Sequence, residues 1–291
     1  RRCTMRALLI PNFTKERTPR VLGEVCRILA DLDIAAAVLP EARQGLAAHG
    51  CPALPVCGGT DPREIADCCD FILSIGGDGT IIHSAHFAAL ADRPVVGVNV
   101  GRLGFLAQLE PDRLEEGLSR IRRGDYSIEE RMALAARFDA EEMAPIPFAI
   151  NDIVAFKAPG TNIAEFEIHC NGRLIDRYAA DGIIFCTPTG STAYGLAAGG
   201  PVIDPSLSTI SLVPICPHSM ATRPLIFAGD KAISLRCTSG AVQVQADGRS
   251  PVLMGGSTMI TLGRSALRAK FISFNEYEFF EILTTKIKQK G

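Results

Sequence analysis

The sequence predicts two domains of different class: an α/β N-terminal domain on a parallel sheet over residues 1–125, and an all-β sandwich over residues 126–265. A C-terminal segment, residues 266–291, is expected to pack back on the first domain. Two observations carry this reading. Up to about Arg123, short apolar runs alternate with helix-period stretches, the pattern of strands covered by helices on both faces. Beyond Tyr126 the helical periods give way to many short strand candidates, some separated by turn signals. A chain of 291 residues that is 47% apolar can bury two ordinary cores.

Taken in order, Met5 to Ile10 reads as a strand, Arg20 to Leu32 as an amphipathic helix and Ile34 to Leu39 as a strand. Phe71 to Ile75 is the next strand, followed by a helix from Ile81 to about Ala91, a strand Val95 to Val98 and a helix Pro111 to Arg123. The β half offers Ser127 to Phe138, Phe148 to Phe156, Ala164 to Cys170, Arg173 to Ala179, Ile183 to Cys186, Thr209 to Val213, Ala232 to Cys237, Val242 to Ala246 and Thr258 to Leu262. Asn171-Gly172 and Asp247-Gly248 are hairpin-turn pairs, since both residues tolerate positive φ. Tyr277 to Lys288 places Phe279, Phe280, Leu283 and Ile287 near helical spacing, an apolar stripe that needs a surface to cover it.

Composition excludes several classes. A formal net charge of −2 with interleaved signs argues against broad nucleic-acid binding, while leaving a small anionic cofactor compatible. No apolar stretch reaches the roughly 20 residues of a membrane span, and Arg1 to Pro11 has no adequate apolar region for a secretory signal, so a cytoplasmic protein is expected. Arg1 to Thr4 reads as an expression remnant before the first strand. The ten cysteines contain no Cys-x-x-Cys pair and read as reduced, mostly buried small hydrophobes. His83 and His86 have no third ligand at zinc spacing and take a structural or solvent role, so no metal-ligand residues are assigned.

The chemistry concentrates at strand ends. Gly76, Gly77, Asp78, Gly79 and Thr80 link the apolar run Phe71 to Ile75 to a helix. Glycines allow positive φ and close approach of backbone N–H groups to phosphate oxygens, and the helix adds the positive end of its dipole. An isolated Gly-Asp-Gly is equally a turn whose aspartate caps the helix; glycines on both sides of Asp78 point instead to a loop wrapping a polyphosphate. A carboxylate there implies a partner metal ion or a proton to accept. Asn99, Gly101, Leu103, Gly104 and Phe105 form a second loop at a strand end, and loops in that position converge on one crevice. Asn151-Asp152 sits between apolar neighbours, and Asp181-Gly182 leads into Thr187 to Tyr194, which holds four hydroxyl residues and a tyrosine in eight positions. Such a stretch suits recognition of adenine and ribose.

With these residues in view, the chain resembles the NAD kinase family. The matching motifs are Gly76-Gly-Asp-Gly-Thr80, Asn99 with Gly101 and Leu103-Gly-Phe105, Asn151-Asp152, and Asp181-Gly182 through Thr187–Tyr194 to Gly199-Gly-Pro201. Pro217-His218 with Arg223-Pro224-Leu225, and Asp247-Gly248, extend the match over most of the chain. The first motif alone is shared with diacylglycerol and sphingosine kinases and with phosphofructokinases. The resemblance implies a phosphofructokinase-like (Rossmann-like) N-terminal sheet, a β-sandwich that holds NAD, and transfer of the ATP γ-phosphoryl to the 2'-hydroxyl of the adenosine ribose. It implies Mg²⁺ or another divalent cation as cofactor, and a homodimer or homotetramer.

Site roles implied by the resemblance are Asp78 as general base and Gly76, Gly77, Gly79 and Thr80 as holders of the ATP phosphates. Asp78, Gly79, Phe105, Asn151, Asp152, Asp181, Thr189, Thr192, Ala193, Tyr194 and Asp247 would bind NAD. Asp152 stands where many relatives carry the longer Glu, and Asp247 is equally explained by its hairpin turn. His218 and Arg223 are expected to be structural. A lipid kinase would share the phosphate loop but needs an apolar tunnel in place of the Thr187 to Tyr194 hydroxyls. A non-catalytic NAD binder has little use for Asp78. A dehydrogenase would show a Gly-x-Gly-x-x-Gly turn after the first strand, which is absent, as is a Walker A motif.

Overall fold

The computed structural model describes residues 4–101, 104–140, 142–255, 258–274 and 279–288, with only the backbone at 250, 287 and 288. Two compact units are present: residues 1–130 with 269–291, and residues 131–268.

The first unit is built on parallel strands β1 (Met5–Pro11), β2 (Ile34–Val38), β3 (Phe71–Gly76) and β4 (Pro94–Asn99), in the order β2-β1-β3-β4. Short β5 (Ala107–Leu109) adds to β4 in parallel, and so does the end of the long β16 (Met259–Ser273), through Lys270 and Phe271. Every residue of β3 is buried, as a strand covered on both faces requires. The cover comes from α1 (Thr18–Asp31), α2 (Ala42–Ala48), α3 (Pro62–Cys68), α4 (Asp78–Leu90) and α5 (Leu114–Arg123). α1 buries Val21, Leu22, Val25, Ile28 and Leu29 at helical spacing, and α5 ends where Gly124 turns left-handed at φ 73. β1 and β3 are neighbours whose crossovers run in opposite directions along the sheet, which is the switch point where such sheets open a crevice.

The second unit is a sandwich of antiparallel strands. One sheet runs β12 (Leu225–Ala228), β11 (Thr209–Ile215), β10 (Gly182–Cys186), β7 (Asp152–Lys157), β14 (Ala241–Ala246), β15 (Arg249–Gly255). The other joins the first part of β16 to β13 (Ile233–Ser239), β8 (Ala164–Cys170) and β9 (Arg173–Ala180). Ile153, Phe185, Leu212 and Val244 from one sheet meet Phe166, Ile168, Leu235 and Ile260 from the other in one core. β6 (Ser127–Phe138) and β16 each run through a boundary between the units.

The expected fold class therefore stands, with differences in detail. Asp78 to Thr80 belong to the first turn of α4, so that helix begins three residues earlier than its apolar period suggests. α2, α3, β5, β12 and β15 carry too little periodicity to be read from sequence, and β16 runs on to Ser273 well past Leu262. The C-terminal helix is α7 (Phe279–Lys288); Tyr277 lies outside the described residues, and so does Leu103 of the second loop.

Candidate active site

In the first unit the sequence motif becomes a strand, a two-residue bend and a helix head. Gly77 is the N-cap in extended conformation, and its carbonyl accepts from the N–H groups of Thr80 and Ile81 at 2.9 and 3.1 Å. The first amides of a helix are not used within its own ladder, which at α4 leaves those of Asp78 and Gly79 for other partners. None of Gly76, Gly77 and Gly79 has a positive φ, contrary to the expectation from sequence. Only at Gly76 does the fold itself need the room. A Cβ on Gly76 would overlap the Thr80 side chain, whereas Gly77 and Gly79 have nothing within 4 Å, which leaves their backbone open to a ligand.

Asp78 does not cap its own helix. Its carboxylate reaches across to the second loop, where Oδ2 accepts from the Phe105 N–H at 2.9 Å and Oδ1 from the Leu106 N–H at 3.2 Å. A Cβ on Gly104 would overlap Asp78 Oδ1, so the second loop approaches this closely only because position 104 is glycine. Asn99 fastens the base of the same loop: its Nδ2 donates to Glu110 at 3.0 Å and its Oδ1 accepts from the Gly101 N–H at 3.0 Å. The two strand-end loops predicted to converge do so within this unit, through Asp78.

Two residues here were missed in the sequence. Asn12, directly after β1, donates from Nδ2 to Thr80 Oγ1 at 2.9 Å. Its position at a strand's carboxyl end is the signal that could have found it. Lys286 of α7 places Nζ 3.8 Å from Asp78 Oδ2 and 3.9 Å from the centroid of the Phe105 ring, and nothing in the local sequence announces it. Beside the loop lies a cavity of about 590 Å³ whose lining includes Asn12, Phe13, Gly79, Thr80, His83 and Phe87.

The second unit holds the remaining candidates. Asp247 sits at φ 46 in the predicted β14–β15 turn, with Gly248 at φ 70. Its carboxylate receives three backbone N–H groups, from Ile150 at 2.8 Å and from Asn151 and Asp152 at 2.9 Å each. Asp247 thus shapes the Asn151-Asp152 segment. Thr187 locks the same segment from the other side, its Oγ1 donating to the Ile150 carbonyl at 2.6 Å and its N–H to the Asn151 carbonyl at 2.9 Å. Gly190 packs so closely on the Asn151 backbone that a Cβ would overlap it. Asp152 is buried, and burial first, then the Asp247 carboxylate, pushes its pKa up to about 7.

Of the hydroxyl cluster, Thr187 and Ser191 work inside the turn, and Thr192 donates to the Thr189 carbonyl at 3.1 Å. Thr189 is buried, while Ala193 and Tyr194, at the start of α6 (Tyr194–Ala197), are exposed. Asp181 pairs with Lys157 Nζ at 2.7 Å. Arg223 donates to the Met220 and Thr222 carbonyls at 2.9 Å, in keeping with a structural role. Among the described residues no group of three or more His, Cys, Asp or Glu is placed to hold a metal ion, and no helix is long and apolar enough to cross a membrane.

Comparison with known proteins bears on the family of the chain. Two family models match, the ATP-NAD kinase N-terminal domain over residues 57–126 and the ATP-NAD kinase C-terminal domain over residues 150–274. The NAD kinase of Moorella thermoacetica is 33% identical over 285 residues, covering 97% of this chain and 89% of that protein. The NAD kinase of Heliobacterium modesticaldum is 40% identical over 225 residues, covering 76% and 79%. Among solved structures, yeast NADH kinase complexed with NADH superposes with a TM-score of 0.84 at 22% identity, covering 96% of this chain and 86% of that one. An NAD kinase from Archaeoglobus fulgidus in complex with ATP gives 0.75 at 24% identity, covering 99% and 100%. Matched across both domain models and along nearly its whole length by the Moorella enzyme, the chain belongs to the NAD kinase family.

Proposed function

We propose that this protein transfers the γ-phosphoryl group of ATP to the 2'-hydroxyl of the adenosine ribose of NAD, giving NADP, with Asp78 accepting the hydroxyl proton. The observation that carries the reading is the placement of Asp78 at the head of α4: a partly exposed carboxylate fixed by the Phe105 and Leu106 amides of the second loop, beside open glycine backbone. The bound NADH of the yeast relative and the bound ATP of the archaeal one support both ligand classes.

The glycines Gly76, Gly77 and Gly79, with Thr80, hold the phosphates, and the adjoining cavity takes the rest of the donor nucleotide. Asn12, by donating to Thr80 Oγ1, fixes that hydroxyl's orientation. In the second unit Asn151, Asp152, Thr189, Thr192 and Ala193 bind the NAD ribose and adenine, Tyr194 offers an exposed ring, and Asp181 serves the nicotinamide side. Phe105 is proposed to offer its ring to NAD. Asp247 acts on NAD through the backbone it holds. At its raised pKa of about 7, Asp152 can be a neutral acid and donate a hydrogen bond to a ribose oxygen.

A carboxylate is a weak base for an alcohol, so positioning supplies most of the rate and proton removal comes late. With Asp78 given to the proton, a divalent cation would be held chiefly by the substrate phosphates, where it would neutralise their charge. We also propose a homodimer or homotetramer, supported in the second unit by exposed Tyr194, Leu196, Met220 and Ile226.

The test is direct. Purified protein given NAD, ATP and Mg²⁺ forms NADP; phosphorylated diacylglycerol or sphingosine without NADP would overturn the reading.

A further inference from the structure

Lys286 lies beyond the residues matched by either family model, yet its ammonium is aimed at the side chain on which the proposed reaction turns. Its side chain is 24% exposed and that of Asp78 34%, so the pair is partly shielded and open on one side. Both Asp78 oxygens already receive a backbone N–H, so the carboxylate does not need the lysine to be satisfied. Nor does α7 need it to dock. A partly exposed pair at 3.8 Å adds little stability, whereas Ile282 is buried and the Phe279 ring packs 5.8 Å from that of Phe105. The lysine ammonium lies over the Phe105 ring, 3.9 Å from its centroid, and so stands between that ring and the Asp78 carboxylate.

We propose that Lys286 is a catalytic residue that changes partner during turnover: in the free enzyme it neutralises Asp78, and with ATP bound it turns to the γ-phosphoryl group, freeing Asp78 for the ribose hydroxyl. This rests on the function proposed above. In the step, the bond between the 2'-oxygen and the γ-phosphorus forms as the bond from that phosphorus to the β–γ bridging oxygen breaks. The hydroxyl proton passes to Asp78, and ADP departs with the bridging oxygen's electron pair. Lys286 gives up no proton; its charge faces the oxygens of the moving phosphoryl group, where a fixed cation lowers the barrier.

The experiment uses the full chain with NAD, ATP and Mg²⁺, comparing the wild type with Lys286→Met, Lys286→Gln and Lys286→Arg. Met keeps an unbranched apolar side chain without the charge, Gln is a second neutral variant, and Arg keeps the charge. Both neutral variants should lose roughly tenfold to a hundredfold in kcat with KM for NAD unchanged, while Arg stays nearer to the wild type. Wild-type kcat in either folded neutral variant overturns the proposal, as does a loss that Arg shares in full. If the wild type itself forms no NADP, the proposed function fails instead.

Discussion

At Gly104 the absence of a single carbon atom lets Asp78 reach the second loop. Gly104→Ala should displace the carboxylate, which can swing aside at small cost to stability but then no longer meets the Phe105 and Leu106 amides. The expected result is a fall in turnover of roughly a hundredfold with a nearly unchanged melting temperature, read from kinetics and calorimetry together. Unaltered turnover would show that the close approach is incidental. Asp152 makes a second prediction through its raised pKa. A carboxyl whose folded-state pKa is about 7 against an unfolded 3.8 binds its proton more tightly when folded, so its contribution is fully present below pH 4 and is lost as pH rises through 7. Asp152→Asn should therefore be more stable than the wild type at pH 8, by up to about 4 kcal/mol, with the advantage gone at pH 4. Urea unfolding at the two pH values checks this, and an advantage equal at both would contradict it.

α7 is the element whose docking matters most to the first unit's chemistry, and its grip is apolar. Ile282 is buried at 5% exposure, so Ile282→Ala removes about 2–5 kcal/mol of packing, more than a ten-residue helix can spare. Amide exchange across Phe279–Lys288 should then rise to that of unstructured peptide while β3 and β4 stay protected; unchanged exchange would show that something else holds the helix. What sequence could say about elements followed burial. β3 and its glycine bend were legible because a strand buried throughout is mostly apolar, here Phe71, Ile72, Leu73 and Ile75 around the single polar Ser74. β12 and β15 were not: both are edge strands, and β15 carries Pro251, which only an edge tolerates. The extension of β16 was hidden because its middle alternates at intermediate and exposed positions, with Arg264 and Arg268 in it. In the candidate site, Asp78, Asn151 and Asp152 were legible from short motifs, whereas Lys286 meets Asp78 only through folding. Asp247 was legible as a turn, but its grip on the Asn151-Asp152 backbone was not.

For the molecule as a whole, the candidate residues divide between two units, the phosphate loop in one and the Asn151-Asp152 segment with its hydroxyl turn in the other. The exposed apolar residues of the second unit bear on assembly: Met220 is 95% exposed and Ile226 53%, surface that self-association would cover. Sedimentation velocity at micromolar concentration should give a dimer or tetramer, and a monomer at every concentration would contradict that proposal. The central claim is that the carboxylate of Asp78 accepts the proton of the ribose hydroxyl. It is tested most directly by Asp78→Asn, with NAD affinity measured by calorimetry and NADP formation followed in the same preparation. The account predicts NAD binding close to that of the wild type and turnover lower by about 10²–10⁴. Near-normal turnover in that variant would contradict it.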